Sequence, residues 1–450
     1  MSTNEPALPY SASGAVHSDL GTAEISRAFP CHEIICKILH STSDWMRGFP
    51  PTDAGMARVE GGRSRPGPRK RNRRISVAKS SGEPIGVILF GLGCLGSLVV
   101  ECLSQGYPGI RVVGAVDHDP AKAGQRLDAL YPGFVGAGDV IVRPTLAECL
   151  ADGGDAADLL YHLTESAPAK IEAQLLDALA AGLDVLSASE AMFHPALRHG
   201  AFAARLDQAA KAKGVTITGT GINPGYSFDA LPLVLARATS GVRRVTITRA
   251  IDVTGTGPGD IDHVGYALWP AEFDEKIASG RIVGHMGMPE SIALVCERLG
   301  LTIDRVEESW ETEVADFPVD SGTPSLGLIE PGRVIGITQT GRGLRGADAI
   351  VTMRLVMYYD PERFGIPAAD TIDIEGAHHI RASLTPAALS LFGAANTIVN
   401  ATEDVVTAPP GLFNFLDASM AGARRGGFRY EREAGGAERT DVVRLRQVPA

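Results

Sequence analysis

Residues 85–96 read Ile-Gly-Val-Ile-Leu-Phe-Gly-Leu-Gly-Cys-Leu-Gly, and residues 110–119 read Ile-Arg-Val-Val-Gly-Ala-Val-Asp-His-Asp. The first six residues are apolar and partly β-branched, as a strand buried on both faces requires. Gly91, Gly93 and Gly96 then give the G-x-G-x-x-G spacing, and 97–105 places Leu98, Val99, Cys102 and Leu103 on one face of a helix. The run 110–116 is a second buried strand, closed by Asp117 about 20 residues beyond the last glycine. Each position in this pattern has a physical task. Gly91 permits the tight turn out of the strand, Gly93 leaves room for a pyrophosphate against the backbone, and Gly96 lets the helix sit close to the sheet. The helix N-terminus offers free N–H groups and the positive end of its dipole to phosphate. Asp117 can accept hydrogen bonds from ribose hydroxyls. The alternative is a glycine-rich turn with a purely structural role. Dinucleotide binding is the stronger reading because strand, turn, helix and acid all agree.

Outward from this unit, strands at 139–143, 157–164, 184–188 and 215–219 alternate with helices at 147–150, 169–181 and 199–213. That alternation predicts an α/β fold, a Rossmann-type doubly wound parallel sheet over residues 84–224. Ligands bind such sheets at the carboxyl ends of the strands. That rule singles out Thr164–Ser166, Ser189–Glu190 and 221–223. Residues 225–391 change character. Helices are expected at 227–238, 271–279 and 289–299, and strands at 244–253, 303–314, 334–342, 349–358 and 370–381. This is the pattern of a second α+β domain with a mixed or antiparallel sheet, suited to substrate binding and dimerisation. Residues 392–422 read as a segment returning to the first domain through a helix at 394–405.

The chain has 450 residues, enough for two or three domains at about 150 residues each. Its 44% apolar content supports a large core. A net charge of −11 argues against nucleic acid as the main partner. The six cysteines show no C-x-x-C spacing, and those within the ordered part lie in apolar runs, which suits reduced thiols in the cytoplasm. No run of about 18 apolar residues exists, so no membrane span is expected. Residues 1–83 read as a disordered basic extension: 58–79 holds nine Lys/Arg against one acid, Glu60. Such a tail could contact nucleic acid or membrane, or could arise from an upstream start with Met56 the true one. Residues 423–450 read as a disordered tail rich in Arg, Gly and Glu.

Among residues that could carry chemistry, Glu190 stands first. It lies just past an apolar strand on the ligand-binding edge, where a partly desolvated carboxylate can act as general acid and base. The alternative is a solvated acid at a helix start. Asn223, Pro224 and Gly225 form a turn past another strand end, where Asn223 could orient substrate or the nicotinamide amide, with Tyr226 and Asp229 near the same cleft. His263, His285, His378 and His379 lack ligand spacing, and no metal is expected. His378 and His379 fall within the strand expected at 370–381, so they should point to opposite faces. Arg249, Arg281 and Arg342 are candidates to meet a substrate carboxylate.

The stretch Gly91–Gly96 together with Val113-Gly114-Ala115-Val116-Asp117-His118-Asp119-Pro120-Ala121-Lys122-Ala123-Gly124 resembles the N-terminal domain of dihydrodipicolinate-reductase-like proteins. Ser187-Ala188-Ser189-Glu190, 219–225 with its Asn-Pro-Gly, Gly284-His285-Met286-Gly287 and Ala408-Pro409-Pro410-Gly411-Leu412 resemble the 2,4-diaminopentanoate dehydrogenase group, which includes native NAD(P)H-dependent amine dehydrogenases. The resemblance covers about 84–420. It implies reversible oxidative deamination of a primary amine, with ammonia and a ketone on the other side. It also implies NAD or NADP as cofactor and Glu190 as the catalytic glutamate. The cofactor would meet Gly91, Leu92, Gly93, Cys94, Leu95, Gly96, Asp117, His118, Lys122, Thr164, Ser166 and Asn223. The substrate would meet Asn223, Pro224 and Tyr226. Asp117 favours NAD, whereas His118 and Lys122 could accept a 2′-phosphate. True dihydrodipicolinate reductases carry a His-His pair followed by lysine and then Ser-Gly-Thr. Here Ser321-Gly322-Thr323 precedes His378-His379 and no lysine follows the pair, which argues against that activity. The rival readings are an imine or oxo-acid reductase on the same scaffold and a non-catalytic NAD-binding regulator. A cytoplasmic homodimer with small-molecule partners is expected.

Overall fold

A computed structural model describes residues 84–107, 109–134, 139–153, 156–256, 261, 264–324 and 326–418, and the backbone of 427–433 and 442–448. The basic extension expected at 1–83 lies outside the described residues. The first sheet is built from β1 (Ile85–Phe90), β2 (Ile110–Val116), β3 (Val142–Arg143), β4 (Leu159–His162), β5 (Asp184–Ser187), β6 (Thr216–Gly219) and β15 (Gly411–Leu412). Its order is β15-β6-β5-β4-β1-β2-β3, and every pair is parallel. The first six strands therefore run 3-2-1-4-5-6, the doubly wound dinucleotide-binding order. The order reverses between β1 and β4, so the crevice lies beyond Phe90 and His162.

Helices cover both faces of this sheet, because β1, β4 and β5 bury alternate residues on each side. On one face α1 (Cys94–Ser104) places Val99, Val100, Cys102 and Leu103 against Val87, Leu89 and Tyr161. The same cluster takes in Ala395, Ile398 and Val399 of α8 (Ser390–Asn400) and Val405 of α9 (Thr402–Thr407). Burying each of these branched side chains contributes about 1.5–3 kcal/mol, which anchors the late segment to the first sheet. Tyr161 Oη and Thr402 Oγ1 share a hydrogen bond at 2.5 Å in that interface. On the other face α3 (Pro168–Ala180) and α4 (Gly200–Lys213) pack Ile171, Leu175, Leu179 and Leu206 over Ile88, Leu160 and Val185. The short helix α2 (Leu146–Ala151) leads from β3 toward β4.

The second sheet holds β7 (Arg244–Asp252), β8 (Arg305–Val314), β11 (Val334–Arg345), β12 (Asp348–Tyr358), β13 (Ala369–Glu375) and β14 (Ile380–Leu384) in the order β14-β13-β7-β12-β11-β8. Only β7 and β12 run parallel, so the sheet is mixed. A two-stranded pair, β9 (Val319–Asp320) with β10 (Leu328–Ile329), lies in the β8–β11 connection. One sheet face is covered by α5 (Leu231–Ala236), α6 (Pro270–Ala278) and α7 (Met288–Leu299), whose Ile292, Val295 and Met288 join Ile247, Ile337 and Met353 in one core. No helix among the described residues is long and apolar enough to cross a membrane.

Three expectations change. The single strand at 370–381 is a hairpin, because Gly376 turns tightly against Thr239 and the Ala377 N–H donates to the Ser240 carbonyl at 2.6 Å. His378 and His379 therefore sit in its turn, not on a strand. The helix at 227–238 opens with a wider π-helical turn, Tyr226–Ala230, before α5. The tail at 423–450 contains an antiparallel pair, β16 (Gly427–Glu433) with β17 (Val442–Val448). Phe428 and Tyr430 alternate with charged residues there, a strand period hidden by the Arg/Gly content.

Candidate active site

The glycine turn leaves β1 at Gly91, whose φ of +103° is open to glycine. A side chain there would meet the Leu163 carbonyl and Thr164 Cγ2. One at Gly96 would overlap the Gly91 carbonyl oxygen. At Gly93 a Cβ would meet nothing within 4 Å, and Gly93 is the N-cap of α1. Two glycines are thus required by the fold, while the third opens space in front of a helix N-terminus. That is the cradle a pyrophosphate needs. Leu92, Cys94 and Leu95 lie in the same turn, with Leu92 buried and Cys94 exposed.

Asp117, at the end of β2, accepts the Leu92 N–H at 2.8 Å through Oδ2 and the Asp119 N–H at 2.9 Å through Oδ1. Lys122 Nζ reaches the same Oδ2 at 3.2 Å and the Leu92 carbonyl at 3.0 Å. Burial would raise the Asp117 carboxyl, but the Asp119 and Leu92 N–H groups and Lys122 outweigh it and hold it below its usual value. Asp117 therefore ties β2 to the glycine turn. His118 is exposed beside it.

Beyond β4, Thr164 stands against the glycine turn and shares its hydroxyl with His162 Nε2 and Gln174 Oε1, both at 2.9 Å. His162 is buried, its ring stacked on Phe90 and its Nδ1 2.9 Å from Ser187 Oγ. Burial pushes this imidazole down to about 4, so it is neutral at ordinary pH. Ser187 Oγ in turn accepts the Ser189 N–H at 3.1 Å. Ser166 accepts the Glu190 N–H at 3.3 Å through its hydroxyl, and its carbonyl accepts the Ser189 hydroxyl at 3.0 Å. The ends of β4 and β5 are thereby stitched together, and Glu190 emerges from the stitch at the start of a 3₁₀ turn, Glu190–Met192.

The Glu190 carboxylate meets the segment Gly284–Gly287. Its Oε1 lies 3.0 Å from His285 Nδ1, and its Oε2 accepts the Met286 N–H at 2.9 Å. Its side chain keeps 24% exposure while that of His285 keeps 3%. Burial pulls the His285 imidazole down, yet the charge and hydrogen bond of Glu190, with Asp229 and Glu308 beyond, outweigh it and leave the ring raised. Asp229 is fully buried and pushed up to about 6 by burial, against the Gly225 N–H that donates to its Oδ2 at 2.8 Å. It stands behind the site rather than lining it. Arg198 clasps buried Glu290 with Nε–Oε1 at 2.6 Å and Nη2–Oε2 at 2.8 Å, and also grips the Met286 carbonyl. A Cβ at Gly287 would stand 2.8 Å from Pro224 Cγ, so this segment leans on the Asn223–Gly225 turn. Asn223 is half-buried and Tyr226 is 37% exposed there.

The remaining candidates lie elsewhere. Arg249 is fully buried, with Nη1 2.7 Å from Asp370 Oδ1 and its Nη2 on the Ala388 carbonyl and Ser390 Oγ. It is committed to holding the start of α8, so it is unsuited to a substrate carboxylate. Arg342 donates to Ser309 Oγ at 3.1 Å, and Arg281 is exposed. His379 pairs with Asp373 at 2.8 Å on the surface. Sequence reasoning named Glu190 and listed His285 without a partner, and it missed Arg198, Glu290, His162 and Gln339. The Gly-His-Met-Gly spelling was the one available signal.

Taken together, the edge of the first sheet runs from the open helix N-terminus at Gly93, past Thr164 and Ser166, to a carboxylate held by an imidazole and an amide. Residues 226–434 match the family model for the 2,4-diaminopentanoate dehydrogenase C-terminal domain. A 2,4-diaminopentanoate dehydrogenase of Acetoanaerobium sticklandii is 26% identical over 359 residues, spanning 77% of this chain and 97% of that enzyme. The solved amine dehydrogenase of Mycobacterium smegmatis is 24% identical, with a TM-score of 0.64 over 76% of this chain and 97% of its own, which supports the fold. The chain is similar to the 2,4-diaminopentanoate dehydrogenase group of oxidoreductases, which act on CH–NH2 donors.

Proposed function

We propose that this protein catalyses NAD(P)-dependent, reversible oxidative deamination of a primary amine, with 2,4-diaminopentanoate or a similar small amine as substrate. The observation that carries this reading is Glu190: a partly exposed carboxylate at the carboxyl edge of the sheet, with each oxygen held by a fixed donor. Gly91, Leu92, Gly93, Cys94, Leu95 and Gly96 would hold the pyrophosphate, Asp117, His118 and Lys122 the adenosine ribose, and Thr164, Ser166 and Asn223 the path toward the nicotinamide. A bound oxidised nicotinamide would supply the hydride acceptor for the amine-bearing carbon. Glu190 takes a proton from the substrate ammonium, so that the nitrogen lone pair can assist hydride loss and form the iminium. Once that proton has passed to solvent from the exposed side of Glu190, the regenerated carboxylate faces the iminium charge and stabilises it. His285 and Met286 keep the carboxylate aimed while leaving its other lone pairs accessible. Pro224, Asn223 and Tyr226 would border the carbon skeleton.

In this reading residues 84–224 with 392–422 are the cofactor domain, and 225–391 form the substrate domain, whose open sheet face pairs two copies as a homodimer in the cytoplasm. The buried free thiols Cys149 and Cys296 suit a reducing compartment. The test is cofactor reduction with 2,4-diaminopentanoate and a panel of simple amines, and cofactor oxidation with ketones in the presence and absence of ammonia. Ammonia-dependent oxidation is expected. Ketone reduction that ignores ammonia would instead favour an oxo-acid reductase.

A further inference from the structure

Gln339 lies fully buried on β11, and its carboxamide grips the main chain of His285 from both sides. The Gln339 Oε1 accepts the His285 N–H at 2.8 Å, and its Nε2 donates to the His285 carbonyl at 3.1 Å. That carbonyl belongs to the peptide whose N–H is Met286's. In a trans peptide the two groups point in opposite directions. Holding the carbonyl toward β11 therefore turns the Met286 N–H outward, onto Glu190 Oε2. The remaining Nε2 hydrogen goes to Glu308 Oε1 at 3.0 Å, which fixes which end of the amide is nitrogen. Gly284 makes the grip possible: its φ is +57°, and a Cβ there would stand 2.5 Å from Gln339 Oε1. The first glycine of the Gly-His-Met-Gly segment thus admits Gln339, and the second admits Pro224.

We infer that Gln339 is a positioning residue for the reaction: it sets the His285–Met286 peptide so that imidazole and amide together receive the Glu190 carboxylate. This rests on the proposed role of Glu190. The charged and titratable groups facing the His285 ring are Glu190, Asp229 and Glu308, with the Arg198–Glu290 pair beside them. Gln339 touches none of the reacting atoms, so its effect must pass through the aim and charge of Glu190.

Two variants test it. Gln339→Met keeps the volume and loses both hydrogen bonds. Gln339→Glu keeps the acceptor and can donate to the His285 carbonyl only when protonated. The His285 ring is titrated by NMR in each full-length variant, its signal assigned with His285→Asn, and amine-dependent cofactor reduction is followed across pH. In Gln339→Met, His285 is expected to titrate lower than in the parent and turnover to fall about a hundredfold, as small misplacements at a reacting centre do. In Gln339→Glu, turnover is expected to approach the parent at acid pH and to decline toward the Gln339→Met level as pH rises. A parent-like His285 titration in Gln339→Met would overturn the inference. If Gln339→Met does not fold, Gln339→Glu decides: a pH profile parallel to the parent's also overturns it. Glu190→Ala is assayed alongside. If that variant keeps full turnover, the proposed role of Glu190 itself fails, whereas loss in Glu190→Ala with no change in either Gln339 variant removes Gln339 alone.

Discussion

Glu190 and His285 lie 95 residues apart in the chain, yet Oε1 of one stands 3.0 Å from Nδ1 of the other. The two arrive from different parts of the fold, Glu190 from the end of β5 and His285 from the turn before α7. Their meeting joins the carboxyl edge of the first sheet to the part of the chain that holds the second sheet. The chemistry proposed here depends on that meeting, and four consequences can be measured.

The three glycines of the first turn should separate cleanly. Gly93→Ala introduces a methyl into open space at a residue with an ordinary φ of −71°. Its thermal stability is expected to stay near the parent's while NAD(P) affinity, by fluorescence titration, weakens tenfold or more. Gly96→Ala drives a methyl into the Gly91 carbonyl and is expected to unfold at markedly lower temperature. Equal cofactor binding by Gly93→Ala and the parent would place the phosphates elsewhere.

His285 should show itself through pH. Its folded-state value is raised, so the stability it contributes is complete below about pH 6.5 and is lost as pH climbs through that raised value. His285→Asn is expected to lose this dependence, read from chemical denaturation at several pH values. Its turnover should also lose the limb that reports imidazole deprotonation. An unchanged activity profile in His285→Asn would show that the imidazole does not set the charge of Glu190.

Asp229 gives a second handle with the same sign for a different reason. Burial raises its carboxyl from 3.8 to about 6, so the neutral acid is the form the fold prefers. The stability it supplies is full below the unfolded value and fades as pH rises through about 6. The shift corresponds to about 3 kcal/mol by pH 8. Asp229→Asn preserves an acceptor for the Gly225 N–H, and its denaturation midpoint should be flatter between pH 4 and 8 than the parent's. A steeper decline would mean that Asp229 is ionised and held by a partner.

The parts of the fold that were legible in sequence are those fixed by short-range physics. The β1–Gly–α1–β2 unit follows from strand burial, turn sterics and helix dipole within 35 residues, and the strand ends then locate Thr164, Ser166 and Glu190. The contacts that complete the site are long-range. Gln339 sits in Ile-Thr-Gln-Thr-Gly, which reads as any strand, and only the approach of Gly284 gives it a task. Arg198 and Glu290 look like solvated charges until α7 is laid against the loop after Glu190. The hairpin at 369–384 looks in sequence like one strand over 370–381, because the turn at Gly376 is held by Thr239 and Ser240 far away in sequence. Lys122, in sequence a candidate to accept a 2′-phosphate, is bonded to Asp117 and the Leu92 carbonyl, contacts that sequence spacing does not reveal.

The most direct measurement is the turnover of Glu190→Gln with an accepted amine, alongside its NAD(P) affinity. The amide keeps the shape of the carboxylate and removes its charge and basicity. Cofactor affinity is expected to stay within about twofold of the parent, and kcat to fall by about 10²–10⁴, the span that a positioned acid–base group contributes. A kcat equal to the parent's would contradict the central claim that Glu190 carries the proton in this reaction.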